Sequence, residues 1–284
     1  MEYILKIGGI GFRISSHFEI KVEESFAQFI SPNSNEYDIN IEVSRDFQQA
    51  PRPAAAILGK DLILEYYRQH EELLCVAREG GKGTLAVTQC DSTFSHLVCY
   101  MNTEEFTPKD SLGGLLRMLP MRSILQYHGA QFFHASQIAV GNMGILFTAP
   151  SGTGKTTQAK LWRDLRGARI VCNDRTLIRD GKTYGYPMDG SEPVCSGEIY
   201  PLGAVVFLRQ SPVNRVQRLK PSAVLAKLMP QLVFDTWDPE ARAKAAAQLL
   251  DLMAHYPVYQ LDCTPDEAAV MCLEHCLKKD GVMK

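Results

Sequence analysis

The sequence predicts an α/β fold preceded by a mostly antiparallel β subdomain. Three observations carry the prediction. Up to residue 108, short runs of alternating β-branched and aromatic residues recur between Gly, Pro, Asn and Asp breaks. Beyond it, helical periodicity sets in and alternates with short apolar strands. At 149–157 an apolar strand runs through a glycine-rich loop into an amphipathic helix. The expected division is a β-rich subdomain over 1–108 and an α/β domain over 109–284.

In the first part, the runs 3–7, 11–14, 37–43, 62–68, 73–78, 83–88 and 94–100 read as strands, with 79–83 as a hairpin connection. Pro51-Arg52-Pro53 is a rigid loop, and the alanines after it are ambiguous. The period changes near Thr107–Asp110, where Leu112, Leu115, Leu116, Leu119, Met121 and Leu125 predict helical packing interrupted at Pro120. Two strands, 131–140 and 143–148, are expected to meet at Gly141-Asn142, followed by a helix from Lys155 to about Leu165. Strands are predicted at 168–172, 203–208 and 258–261, and helices at 222–232, 239–255 and 265–278. Thr264 is the expected cap of the last helix, with Pro265 at its first position and Glu267 three residues after the cap.

The 284 residues suffice for a core without covalent staples, and 45% hydrophobic with 22% charged residues is an ordinary globular composition. No apolar run approaches a membrane span, and the first residues lack a signal-peptide layout, so a cytoplasmic protein with no membrane partner is expected. Residues 1–108 carry 9 Lys/Arg against 16 Asp/Glu, and the remainder 21 against 16. The mildly basic second part suits a phosphate ligand, but neither part is basic enough to argue for nucleic acid. The eight cysteines form no CxxC pair and no metal-ligand spacing, so they are expected as buried thiols.

The chemistry concentrates in Ala149-Pro-Ser151-Gly152-Thr153-Gly154-Lys155-Thr156-Thr157. A helix start presents unpaired N–H groups and partial positive charge, and a glycine-rich turn lets that backbone wrap an anion. The segment is expected to be a P-loop for a nucleotide, ATP with Mg2+, with Lys155 toward the β- and γ-phosphates and Thr156 offering its hydroxyl to the metal. Ala149 departs from the glycine that opens the strict pattern. Nineteen residues after Lys155, Asp174 ends an apolar run. It reads as a turn residue or a metal-orienting carboxylate, and the loop upstream favours the second. His134 lies in Phe132-Phe133-His134-Ala135-Ser136, where a structural histidine would also fit. Arg175 and Arg209 could face phosphates, with surface charge preferred for each, and Tyr186–Gly197 has the make-up of a substrate loop or a plain connector.

Taken in order, Phe133–Ser136, Gly144–Thr148, Ser151–Thr157 and Asn173-Asp174 resemble the kinase core shared by HPr kinase/phosphorylase and ATP-dependent phosphoenolpyruvate carboxykinase, over roughly 126–210. Pro201–Gln210 and Asn214–Leu219 also look like the small HPr-kinase-like proteins of bacterial peptide-modification clusters. The resemblance implies a carboxykinase-like mixed-sheet core and an ATP-binding domain at 109–284. It implies Ser151–Thr157 as the ATP cradle, Thr156 and Asp174 on Mg2+, and Asp174, His134 and Lys155 as the catalytic residues. It further implies phosphoryl transfer to a hydroxyl, a serine of a protein or peptide, and a homo-oligomer. Asn173 stands where the family has its first acid, which keeps a non-catalytic nucleotide-binding regulator open. A kinase of a small hydroxylated metabolite is open as well.

Overall fold

The computed structural model describes residues 1–31, 34–81, 83–105, 111–188 and 195–283. It is a mixed α/β fold with two mixed sheets, and its contacts separate into two units: Met1–His128 with Asp235–Pro239, and Gly129–Phe234 with Glu240–Lys284. The period change at 107–110 falls outside the described residues, and the helices that follow it group with the first unit.

In the first unit the strands are β1 (Glu2–Ile7), β2 (Ile10–Ser16), β3 (Ile39–Ser44), β4 (Ile57–Asp61), β5 (Leu64–Gln69), β6 (Glu72–Arg78), β7 (Thr84–Cys90) and β8 (His96–Met101). They form one sheet in the order β1-β2-β3-β8-β7-β6-β5-β4. Only β2–β3 and β3–β8 pair parallel. Alternation supplies the buried face: Phe12 and Ile14 on β2, and Ile39, Ile41 and Val43 on β3, are all buried. The expected strands are present, and β4 is an addition from the stretch after the alanines. The short helix α1 (Glu24–Ala27) is followed much later by α2 (Leu112–Arg117) and α3 (Met121–Tyr127), which break at Pro120 as expected. The hairpin connection expected at 79–83 includes Lys82, which is outside the described residues.

Asp235 is 3% exposed and accepts from the Ser123 hydroxyl, while its Oδ1 has no partner among the described residues. Burial raises its pKa above the ordinary carboxylate value, against opposing pulls from Ser123 and Arg122. An acid raised in the folded state loses stability as pH climbs from its unfolded value, about 3.9, through its folded value, because the unfolded chain releases the proton first. Asp235→Asn is therefore expected to raise the urea midpoint at pH 7, with the gain shrinking at pH 4 and below. An equal change at both pH values would assign the effect to packing rather than to the charge.

In the second unit β9 (Gln131–Val140) and β10 (Met143–Thr148) form a hairpin through Gly141, whose φ is +58°. Then follow α4 (Lys155–Arg166), β11 (Arg169–Cys172), β12 (Arg175–Arg179), β13 (Lys182–Gly185), β14 (Ile199–Gln210), β15 (Arg215–Arg218), α5 (Pro221–Leu228), α6 (Pro239–His255), β16 (Val258–Cys263) and α7 (Glu267–Lys279). The pairings β10–β9, β9–β12, β12–β13 and β13–β14 are antiparallel, and β10–β14 and β14–β16 are parallel. Because β14 pairs with both β13 and β10, these five strands close on themselves.

Successive residues of the central strands feed opposite cores, which is why they read as unbroken apolar runs. Ile145, Phe147, Val206 and Leu208 pack with Trp162 of α4 and with Val270, Leu273 and Leu277 of α7. Leu146 and Val205 turn the other way, toward Val224 and Leu228 of α5 and Leu249 and Leu252 of α6. On α4 the buried positions 155, 158, 159 and 162 follow the helical period, and Gly167 at φ +63° ends the helix. The cap of α7 differs from the expectation. Asp266 accepts from the Ala269 N–H at 3.2 Å, and the helix starts at Glu267 rather than Pro265. Thr264 is held by Asn214 instead.

Candidate functional site

Sheet register brings the sequence-selected residues together. On β9, Ala135 lies opposite Thr148, the last residue of β10, and His134 lies opposite Arg175, the first residue of β12. The Thr148 hydroxyl donates to the His134 carbonyl at 2.9 Å, and the Ala135 N–H donates to the Asp174 carbonyl at 3.1 Å. The loop leaving β10, His134 and the β11–β12 turn therefore converge.

The loop 149–154 turns through Gly152 at φ +76° and Gly154 at φ +114°, conformations that disfavour a Cβ. Thr153 closes it by donating its hydroxyl to the Pro150 carbonyl at 2.8 Å. Ser151 and Thr157 are exposed, and Thr156 is half-buried. Lys155, the first residue of α4, is buried, and its Nζ donates to the carbonyls of Ala149 at 2.9 Å and Pro150 at 3.3 Å. Burial lowers its pKa, partly offset by the charge of Asp174.

His134 Nε2 stands 3.2 Å from Asp174 Oδ1, with both side chains about one-third exposed. Burial lowers the His134 pKa, the Lys155 charge adds to this, and Asp174 opposes it. The imidazole is thus biased toward its neutral form. Asn173, beside Asp174, is buried, and its carbonyl accepts from the Ser136 hydroxyl at 2.8 Å.

Arg175 was expected as surface charge. Its Nε instead lies 3.9 Å from Asp174 Oδ2 and its guanidinium 5.9 Å from the Phe132 ring centre. The pairing with His134 that places it there is a property of sheet register. Arg209 points elsewhere: its Nε and one terminal nitrogen hold the buried Asp262 carboxylate at 2.7 and 2.5 Å. Within the suggested substrate loop, 189–194 lie outside the described residues.

Sequence reasoning did not single out the cavity flanking the loop. It encloses about 560 Å3 and is lined by Gly154, Thr157, Gln158, Pro212, Cys263 and Thr264, among others. Its wall is braced where Asn214 Nδ2 donates to Thr264 Oγ1 at 2.8 Å and the Thr264 N–H donates to Asn214 Oδ1 at 2.9 Å. Gln210 Nε2 reaches the Thr153 carbonyl at 3.4 Å. The size fits a small organic ligand. Chemically, then, the site offers a turn at a helix start, a buried ammonium, a carboxylate–imidazole pair and an adjoining cavity. No helix among the described residues is long and apolar enough to cross a membrane. In comparison with known proteins, no family model and no curated sequence matches this chain.

Proposed function

We propose that the protein transfers the γ-phosphoryl group of ATP to a hydroxyl, with a serine of a protein or peptide as acceptor. The observation that carries the reading is the convergence of the Lys155 loop with the His134–Asp174 pair at one end of the sheet. Phosphoryl transfer needs positioning and charge neutralisation more than covalent help, and these groups supply both.

The positive-φ glycines and the α4 start fit a triphosphate, with Ser151–Thr157 as its cradle. Lys155 leaves the Ala149 and Pro150 carbonyls for the phosphate oxygens. The adjoining cavity takes the nucleoside end. The oxygens of Thr156 and Asp174 suit Mg2+, which favours carboxylate, hydroxyl, phosphate and water over a dedicated protein cage. Mg2+ bound there would neutralise phosphate charge. Neutral His134 donates its Nε2 proton to Asp174 Oδ1 and holds the carboxylate in place. The pair removes the acceptor's hydroxyl proton. The likeness to the HPr kinase/carboxykinase core supports the same assignment. Asn173 supports a second reading, a regulator that binds nucleotide without transfer.

The test supplies Mg2+ and ATP labelled on the γ-phosphate, with serine peptides and small hydroxylated metabolites as acceptors. Phosphoserine on a peptide is expected. Label on a free metabolite with every peptide untouched overturns the acceptor class. ATP binding with no transfer to either acceptor class selects the regulator.

A further inference from the structure

Cys172 ends β11, two residues before Asp174, and forms an isolated antiparallel bridge with Cys195. The Ser196 N–H donates to the Val171 carbonyl at 2.7 Å, joining the residues that flank the pair rather than the pair itself. This marks the closely spaced type of antiparallel pair, with Cα atoms about 4.5 Å apart and side chains on one face. That separation lies within the range of about 4.4–6.8 Å that a disulfide spans. The two thiol groups interact directly.

The surroundings preserve the contact. A Cβ on Gly185 would stand 2.5 Å from the Ser196 carbonyl oxygen and 2.8 Å from Cys195 Sγ, so the glycine keeps open the space against the 195–196 segment. Cys195 is half-buried, whereas Cys172 is 2% exposed. Cys75 and Cys90 also interact, but both are fully buried and pair across the sheet with Thr88 and Leu73, so they are diagonal neighbours rather than directly opposite.

We infer that Cys172 and Cys195 are a reversible disulfide site, oxidised by a hydroperoxide, at the base of the turn that carries Asp174. One sulfur of the pair, as its thiolate, attacks one peroxide oxygen and the O–O bond breaks. For hydrogen peroxide, a sulfenic acid and one water result. The other sulfur then attacks the sulfenic sulfur, the S–O bond breaks, and a second water leaves with that thiol's proton. The net change is two thiols and one peroxide to one disulfide and two waters. Cys172 Sγ–H now donates to the Arg175 carbonyl at 2.8 Å, and an oxidised sulfur has no proton to donate. Oxidation thereby reaches the Asn173–Arg175 backbone.

The test treats the reduced, folded full chain with hydrogen peroxide, blocks the remaining thiols and maps peptides without reduction. Two thiols should disappear, with one cross-linked peptide pair joining Cys172 to Cys195, about 2 Da lighter than the separate thiol peptides and cleaved by dithiothreitol. Hydrogen exchange over 173–176 should change in the oxidised protein and return on reduction. Cys195→Ser, at the half-buried member, should abolish the cross-link and leave the other six cysteines unlinked after the Cys172 thiol is counted separately. Either of the two cysteines driven to sulfinic acid with no cross-link, or a different pair linked, overturns the inference. None of these readouts requires nucleotide, so the outcome is independent of whether ATP binds.

Discussion

Replacing Lys155 by Ala is expected to weaken MgATP binding about 100-fold, or about 2.7 kcal/mol, with the fold retained. The ammonium is the one positive side chain at the α4 start, and it is held against the loop's own carbonyls of Ala149 and Pro150. Burial has already removed part of its hydration, in keeping with its lowered pKa, so exchanging carbonyls for phosphate oxygens adds charge pairing at small further desolvation of the ammonium, offset in part by the carbonyls it gives up. A charge-assisted bond in a partly dry site contributes more than a surface pair. The substitution also leaves the buried Ala149 carbonyl without its Lys155 partner, a cost of about 1–3 kcal/mol that should appear as a lower melting temperature without nucleotide. Lys155→Arg keeps the charge but replaces a compact point donor with a planar fork, so it should restore stability better than binding. Calorimetric titration with MgATP checks affinity, and thermal melts check the fold. Affinity within threefold of the parent in Lys155→Ala would remove the loop as the phosphate site.

Much of this site was legible because its signals are local. Gly152, Gly154 and Lys155 announce a turn into a helix within five residues, and the β9–β10 hairpin was marked by Gly141-Asn142. The hairpin of β12 and β13 was legible but missed: Asp180 at φ +50° and Gly181 at φ +69° form the Asp-Gly turn that joins strands of this kind. Arg175 was not legible as a neighbour of His134, because their approach depends on a pairing between residues far apart in sequence. The cavity follows the same rule, since Gln158, Pro212 and Thr264 come from α4, the β14–β15 connection and the β16–α7 connection. Thr264 shows how a local signal is overridden. Its hydroxyl can cap, but Asn214 binds it, and Asp266 offers a carboxylate nearer the helix start.

Asp174→Asn is expected to lower phosphoryl transfer about 10³-fold, within the range for losing a positioned acid–base group. The amide keeps the shape but removes the negative charge beside His134 and Lys155, and with it the oxygen suited to Mg2+. The pH profile supplies a sharper check than the magnitude. Asp174 pulls the His134 pKa upward against burial and Lys155, so without it the His134 pKa must fall further. Protonation of His134 sets the acid limb of the residual rate, so that limb moves to lower pH. His134→Gln should erase that limb while retaining more activity than Asp174→Asn, because the carboxylate remains. Rates from pH 4.5 to 8, paired with imidazole chemical shifts, separate the two roles. An acid limb that moves upward in Asp174→Asn would contradict the 3.2 Å pairing as the working arrangement.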